Sequence, residues 1–228
     1  MTEGARSKRA LLAGATGLVG GHLLTRLLAH PAYSRVEVLV RRALPISDPK
    51  LAQRVVDFEH LHASPDIAAD DMFCCLGTTI GKAGSQEAFR RVDHDYALAL
   101  GNLAKSAGAR QFLMVSSLGA DAKSSVFYSR VKGETERDIV AIGLPKVIFM
   151  QPSILLGERQ EVRSGEKLAI LVGRLIAPIL IGPLRKYRPI HADHVAAAML
   201  YAANHDLRSG PVESQAIEKL AQLEDGPQ

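Results

Sequence analysis

Short apolar runs alternate with longer segments of helical periodicity over the first two thirds of the chain. We predict strands at 10–13, 36–40, 54–56, 72–76, 112–115 and 147–150, with helices at 18–28, 86–107 and 128–142. The strands are apolar at nearly every position, which is typical of strands covered on both faces. Strand and helix in this alternation predict an α/β fold with a doubly wound parallel sheet.

The pattern changes after Gln151. A polar, charged stretch and an apolar one are followed by a predicted strand at 187–190, a helix at about 191–204 and a polar, weakly helical tail from Asp206. We therefore expect one domain over residues 1–228, with a core at 1–151. Residues 152–228 are expected to form a small C-terminal lobe on the substrate side that does not fold independently.

A glycine-rich stretch links the first predicted strand to the first predicted helix, and its residues are Gly14, Ala15, Thr16, Gly17, Leu18, Val19 and Gly20. Glycines at this spacing and in this context favour a dinucleotide site. The first permits a tight turn, the second lets a pyrophosphate approach the backbone, and the third lets the helix pack on the strand. The helix N-terminus then offers unpaired N–H groups to the phosphates. The alternative is a plain strand-to-helix turn.

The second predicted strand runs into Arg41 and Arg42, at the place where NAD-binding proteins usually carry a carboxylate for the ribose. A guanidinium there pairs well with a 2′-phosphate, so the pattern favours NADP(H) over NAD(H). Two solvated arginines are the alternative.

Asp57 and Phe58 follow the third strand and are expected to flank the adenine. The segment after the fourth strand is expected to border the cofactor with Leu76, Gly77, Thr78 and Thr79.

Tyr128 and Lys132 lie one helical turn apart on a predicted helix, shortly after Ser116 and Ser117 at the end of the fifth strand. An ammonium and an oxidised nicotinamide both favour the phenolate form of a tyrosine. Tyr128 can then exchange a proton with a carbonyl or alcohol, while a serine hydroxyl binds the same oxygen. Ser117 is the first choice for that hydroxyl and Ser116 the second. A Tyr and a Lys that merely share an exposed helix face are the alternative.

Together these segments resemble the short-chain dehydrogenase/reductases, and in detail the atypical branch with the Tat-interacting, metastasis-suppressor type of oxidoreductase. The likeness covers roughly residues 9–200 and is closest at CLGTT (75–79), VSSLGAD (115–121), YSRVKGE (128–134) and QPSILLG (151–157). It implies a Rossmann fold, a nicotinamide cofactor, and Tyr128 and Lys132 as catalytic residues. It also implies that one segment runs beside the nicotinamide, namely Gln151, Pro152, Ser153 and Ile154. Asp93 stands near the place where many relatives carry a catalytic Asn.

Composition excludes several other classes. The 228 residues include 28 basic and 24 acidic side chains, a net charge of +4, and the basic ones are scattered, which does not indicate nucleic-acid binding. The adjacent Cys74 and Cys75 point to opposite faces of a strand and suit a reducing compartment. No apolar stretch has the form of a signal peptide or a membrane span. We expect a cytoplasmic monomer or homodimer that binds a small-molecule substrate and neither membranes nor nucleic acid.

No metal site is predicted, because His191, Asp193 and His194 have no third cluster to complete a ligand set, and Asp193 is better used as a helix cap. The C-terminal lobe is basic, through Arg159, Arg163, Arg185, Lys186 and Arg188. These side chains face either an acidic substrate or solvent.

The sequence as a whole predicts an NADP(H)-dependent oxidoreductase that acts on a small carbonyl or alcohol with Tyr128 as proton donor and acceptor. A second hypothesis is an NADP(H)-sensing regulatory or assembly protein with little or no turnover. The short stretch after Gln151 favours it modestly, whereas the intact Tyr128 and Lys132 pair argues against it. Epimerase chemistry ranks lower, because sugar-nucleotide epimerases usually have a larger C-terminal lobe.

Overall fold

The computed structural model describes residues 7–63, 67–157 and 187–226. Its strands are β1 (Lys8–Ala13), β2 (Tyr33–Val40), β3 (Leu51–Val55), β4 (Asp71–Cys74), β5 (Gln111–Val115), β6 (Val147–Gln151), β7 (Leu155–Leu156), β8 (Ile190–His191) and β9 (Gly210–Glu213). Its helices are α1 (Leu18–Ala29), α2 (Ile80–Ala83), α3 (Gln86–Arg90), α4 (Tyr96–Ser106), α5 (Phe127–Ala141), α6 (Ala192–Asn204) and α7 (Ser214–Asp225). A 3₁₀ helix covers Phe58–Ala63, and a π-helical turn, Arg91–Asp95, joins α3 to α4.

The main sheet is parallel, in the order β3-β2-β1-β4-β5-β6-β9, and β7 pairs with β8 beside it. This order confirms the predicted doubly wound sheet. It reverses between β1 and β4, and in such folds ligands bind outside the carboxyl ends of the strands at that reversal.

Both faces of the sheet are covered, as the uninterrupted apolar strands predicted. On one face Leu12 of β1 joins Leu23 of α1 and Met199 of α6 in a buried cluster. On the other face the neighbouring Leu11 joins Leu100 of α4 in a second cluster. Successive side chains of a strand point to opposite faces, so each strand contributes to both cores.

The chain after Asp206 differs most from the prediction. It was expected to be a polar, weakly helical tail, and a helix, α7, is present; but α7 packs on α6 with Ile217 fully buried, and β9, which was not predicted, pairs with β6. The boundary drawn at Gln151 therefore does not coincide with the edge of the sheet. β9 was missed because a half-exposed edge strand with Gly210 and Pro211 lacks the apolar run of a central strand.

The predicted helix at 86–107 is present, but the π-helical turn interrupts it. No helix within the described ranges is long and apolar enough to cross a membrane. The apolar stretch near 168–181, and with it Arg159, Arg163, Arg185 and Lys186, lies outside the described residues.

Candidate functional site

The glycine-rich loop between β1 and α1 leaves no room for side chains. Gly14 has φ of +90°, and a Cβ on it would overlap the carbonyl of Cys75 in the loop after β4. A Cβ on Gly20 would overlap the carbonyl of Gly14. Gly17 is the N-cap of α1 without a side-chain cap, and the first turn carries no acidic residue. A bare helix N-terminus beside close-packed glycines fits the pyrophosphate of a dinucleotide.

The loops after β4, β5 and β6 lie at the same edge of the parallel sheet as the glycine-rich loop. Besides the contact of Cys75 with Gly14, a Cβ on Gly157 would lie 2.7 Å from a methyl of Leu18. The Leu118 N–H donates to the Pro152 carbonyl at 2.9 Å, which ties the β5 and β6 loops together. The predicted segments 14–19, 76–79 and 151–154 are therefore brought to the same edge.

Lys132 is buried on α5 and forms an ion pair with Asp93 of the π-helical turn, with 2.7 Å between Nζ and Oδ1. The other carboxylate oxygen of Asp93 accepts the backbone N–H of Thr78 at 2.9 Å. Burial by itself lowers the pKa of the lysine, but Asp93 and then Tyr128 outweigh it, so this pKa lies above the ordinary value. A charged ammonium is thus held beside the loop after β4.

Tyr128 lies in the first turn of α5, half-buried, with its ring centroid 5.5 Å from that of Phe89. The loop after β5 folds onto this helix, since the Asp121 N–H donates to the Ser129 carbonyl at 3.0 Å. Gly133 permits this contact, because a Cβ there would overlap the backbone of Asp121 and Ala122. The loop and the helix therefore place Tyr128 and Lys132 jointly.

The two predicted serines differ in their partners. Ser116 is buried, and its hydroxyl donates to Glu136 of α5, which also accepts the Gln151 amide at 2.9 and 3.0 Å. Burial raises the pKa of Glu136, although Ser116, Gln151 and Lys132 oppose the rise. Ser117 is less buried, and among the described residues its hydroxyl makes one long hydrogen bond, to the Leu118 carbonyl at 3.4 Å. Ser116 is thus bound to a buried carboxylate, whereas the Ser117 hydroxyl is bound weakly.

Arg41 and Arg42 follow the end of β2 and are exposed, and neither forms an ion pair or hydrogen bond in the part of the chain that the structure describes. The connection from β2 to β3 contains no helix, and a groove of about 570 Å³ lies between α1 and residues 44–48, with Ala15 among its lining residues. That groove does not include Tyr128, so it is separate from the predicted catalytic pair.

Asp57 is exposed after β3 and lies 2.9 Å from the His60 ring, which lowers the pKa of the carboxyl group. The Phe58 ring is buried against Tyr96, with centroids 5.7 Å apart, so the phenyl face is covered. Of this predicted pair, only Asp57 therefore presents its side chain to solvent.

Three further residues predicted to line the cofactor differ in their contacts. Thr79 caps α2, and the Ser153 backbone N–H donates to the Ser214 hydroxyl. The Ile154 side chain is exposed. Asp193 was expected to cap a helix, but this prediction is wrong: His191 is the N-cap of α6, and Asp193 binds Arg26 of α1 at 2.8 and 2.9 Å. Within the described ranges, no cluster of His, Cys, Asp and Glu has the form of a metal site.

Sequence reasoning missed two buried contacts in this site. It noted Asp93 without its ion pair and did not single out Glu136. Glu136 could have been found from its spacing, because it lies four residues after Lys132 and therefore on the same face of the helix. The partner of Asp93 depends on how the π-helical turn packs against α5, which no local pattern encodes.

Comparison with known proteins gives the context for this site. No family model matches the chain. Protein HTATIP2 of Rattus norvegicus is 40% identical over 169 residues, which are 72% of this chain and 69% of that protein. Protein FMP52, mitochondrial, of Eremothecium gossypii is 32% identical over 220 residues, which are 94% of this chain and 98% of that protein. The solved human epimerase family protein SDR39U1 with NADPH is similar in fold, with a TM-score of 0.61, 17% identity and coverage of 89% of this chain and 72% of that chain.

The relatives contradict the expectation of a cytoplasmic protein, because FMP52 of Eremothecium gossypii, Emericella nidulans and Aspergillus niger is mitochondrial. By its similarity to HTATIP2 and FMP52 over more than two thirds of each, the chain belongs to the atypical short-chain dehydrogenase/reductases, NAD(P)-binding proteins with a Rossmann fold.

Proposed function

We propose that the protein is an NADP(H)-dependent oxidoreductase that acts on a small carbonyl or alcohol, with Tyr128 as the proton donor and acceptor. One observation carries this proposal: Tyr128 stands one helical turn from a buried lysine that Asp93 holds 2.7 Å away, beside the loop after β4. A solvated lysine on a surface helix would not be held in this way.

Each side chain has a separate part in the proposed reaction. Tyr128 donates its hydroxyl proton to the carbonyl oxygen during reduction, or accepts the proton of an alcohol during oxidation. Lys132 stabilises the resulting phenolate with its positive charge. Ser117 donates a hydrogen bond to the same substrate oxygen. The nicotinamide cofactor, when bound, supplies or accepts the hydride.

Each part of the cofactor is expected to bind a different segment of the chain. The glycine-rich loop and the N-terminus of α1 receive the pyrophosphate. Arg41 and Arg42 bind the 2′-phosphate, which is why we propose NADP(H) in preference to NAD(H). Asp57 faces the adenine, and the segments 76–79 and 151–154 border the nicotinamide.

Tyr128→Phe tests the function, because it removes one hydroxyl and keeps the ring against Phe89. We expect turnover to fall about 10²- to 10⁴-fold, the usual contribution of a proton-transferring group, with unchanged NADPH affinity. The measurement is NADPH oxidation with a panel of small aldehydes and ketones, next to a fluorescence titration of NADPH. Tyr201→Phe, which alters a tyrosine stacked on His205, is the matched control.

Undiminished turnover in Tyr128→Phe would contradict the proposed proton transfer. Tight NADPH binding without turnover of any compound in the panel would favour the cofactor-sensing alternative instead.

A further inference from the structure

Asp93 is a fully buried carboxylate with a different partner on each oxygen. Oδ1 lies 2.7 Å from the Lys132 Nζ, and Oδ2 accepts the Thr78 backbone N–H at 2.9 Å. Gly77 closes over the carboxylate, since a Cβ there would lie 3.6 Å from Oδ1. One side chain therefore connects the predicted catalytic ammonium to the backbone of the loop after β4.

The position of this carboxylate is fixed by the π-helical turn that carries it. A π-helical turn inserts one residue into the α-helical repeat, and such turns are frequent at functional sites. The Thr135 hydroxyl of α5 lies 2.7 Å from the Val131 carbonyl of its own helix and 3.2 Å from the Asp93 carbonyl, so the turn packs closely against the helix that also bears Lys132. Close packing of the two helical segments therefore brings the carboxylate and the ammonium together.

We propose that Asp93 is a positioning residue with two separable duties: Oδ2 holds the 77–78 backbone in its cofactor-binding form, and Oδ1 keeps the Lys132 ammonium charged and in place. The first duty sets NADPH affinity, and the second sets the charge next to Tyr128. The second duty rests on the proposed function, whereas the first requires only that the cofactor binds.

Among the described residues, four titratable groups face Lys132, and they decide what happens when Asp93 is changed. Asp93 faces it from the π-helical turn, Tyr128 and Glu136 from its own helix, and Cys74 from β4. Burial raises the pKa of the Cys74 thiol to about 11, so this thiol is neutral at pH 7. Without the charge of Asp93, burial of the ammonium opposes only the weaker remaining attractions, and Lys132 loses its proton at lower pH.

Asp93→Asn separates the two duties. Its amide oxygen still accepts the Thr78 N–H, while its NH₂ group faces Lys132 and favours a neutral amine as acceptor. We expect NADPH affinity close to that of the wild type and a lower titration midpoint for Lys132. The affinity is measured by fluorescence titration, and the midpoint by NMR of ¹³Cε-labelled lysine, with Lys132→Met to assign the signal.

Asp93→Ala removes both duties, and we expect NADPH binding to weaken about tenfold, the loss of one hydrogen bond to a charged acceptor. Asp95→Asn is the matched control, because Asp95 lies on the same turn but is exposed and bonded to the His94 ring. If Asp93→Ala does not fold, Lys132→Met is compared with the double variant Asp93→Ala/Lys132→Met, which leaves no buried charge and removes only the acceptor for Thr78.

Three results would overturn the proposal. The role of Oδ2 is rejected by wild-type NADPH affinity in folded Asp93→Ala, or by equal NADPH affinity in Lys132→Met and Asp93→Ala/Lys132→Met. An unchanged Lys132 titration in Asp93→Asn rejects the role of Oδ1. Neither measurement needs a substrate, so an absence of turnover, which would count against the proposed function, leaves this test intact.

Discussion

Glu136 shows at the residue scale how a single buried acid can organise the ends of two strands. It accepts hydrogen bonds from Ser116 at the end of β5 and from Gln151 at the end of β6. Burial nevertheless raises the pKa of its carboxyl group. The folded state therefore binds this proton more tightly than the unfolded chain does.

The raised pKa of Glu136 makes the stability of the folded state depend on pH in a definite direction. The stability that the protonated Glu136 contributes is fully present below the unfolded pKa near 4.5 and is lost as pH rises through the folded pKa. We expect the free energy of unfolding of Glu136→Gln, relative to the wild type, to increase between pH 4.5 and neutral pH. Urea unfolding at several pH values measures it, and an identical pH dependence of both proteins would contradict the expectation.

Arg41 allows a sharper residue-scale test of cofactor choice. Because hydrogen bonds to charged groups contribute about 1.5–3 kcal/mol, we expect Arg41→Ala to weaken NADPH binding about 10- to 100-fold and NADH binding little. Arg35→Ala, an exposed arginine earlier on β2, is the control and is expected to change neither affinity. Equal losses for both cofactors would reject a bond to the 2′-phosphate.

At the scale of elements, α5 is the part on which the candidate site is assembled. Tyr128, Lys132 and Glu136 follow one another at four-residue intervals and so share one face. The loop after β5 packs on this helix at Gly133, where a Cβ would overlap backbone atoms that cannot rotate away. Close approach of helix and loop is therefore a condition for the site.

Gly133→Ala tests that condition. We expect the free energy of unfolding to fall by about 1–3 kcal/mol, the usual cost of overpacking, together with weaker turnover because the loop is displaced from Tyr128. Gly81→Ala is the control, since no described residue beyond its own helix and chain neighbours lies within 4 Å of a Cβ at that helical glycine. Thermal unfolding of both variants measures the difference, and equal melting temperatures would contradict it.

At the scale of the whole molecule, a second buried network lies at the opposite end of the strands from the site. Asp71 of β4 accepts hydrogen bonds from Lys8 of β1 at 2.8 Å, from Tyr33 of β2 at 2.5 Å and from Gln111 of β5 at 2.7 Å. Lys8 and Gln111 also reach the Ala203 carbonyl of α6. The network joins four strands and a helix where no cofactor is expected.

We therefore expect a change at Tyr33 to lower stability without affecting cofactor binding. Tyr33→Phe removes one buried hydrogen bond to a carboxylate, and we expect a loss of about 1.5–3 kcal/mol. For a chain of this size each kcal/mol lowers the melting temperature by about 2–4 °C. NADPH affinity should stay unchanged, and a parallel loss of affinity would show that the two ends of the sheet are coupled.

Local patterns were enough to predict most of the sheet and the close-packed glycines of the candidate site. Apolar runs and helical spacing act over a few neighbouring residues, so β1, β6 and α5 appear in the sequence near their observed bounds. The pattern of Gly14 and Gly20 is equally local, because glycine is needed where the backbone turns sharply or approaches another segment closely. The pairing of Tyr128 with Lys132 follows from the helical repeat itself.

The fold class, the glycine-rich loop and the one-turn spacing of Tyr128 and Lys132 thus follow from local patterns in the chain. Only tertiary packing accounts for the pairing of Asp93 with Lys132, for the bond of Ser116 rather than Ser117 to Glu136, and for β9 at the edge of the sheet. Periodicity and turn chemistry act between near neighbours in the chain. The partner of a buried charge depends instead on how distant helices and strands pack together.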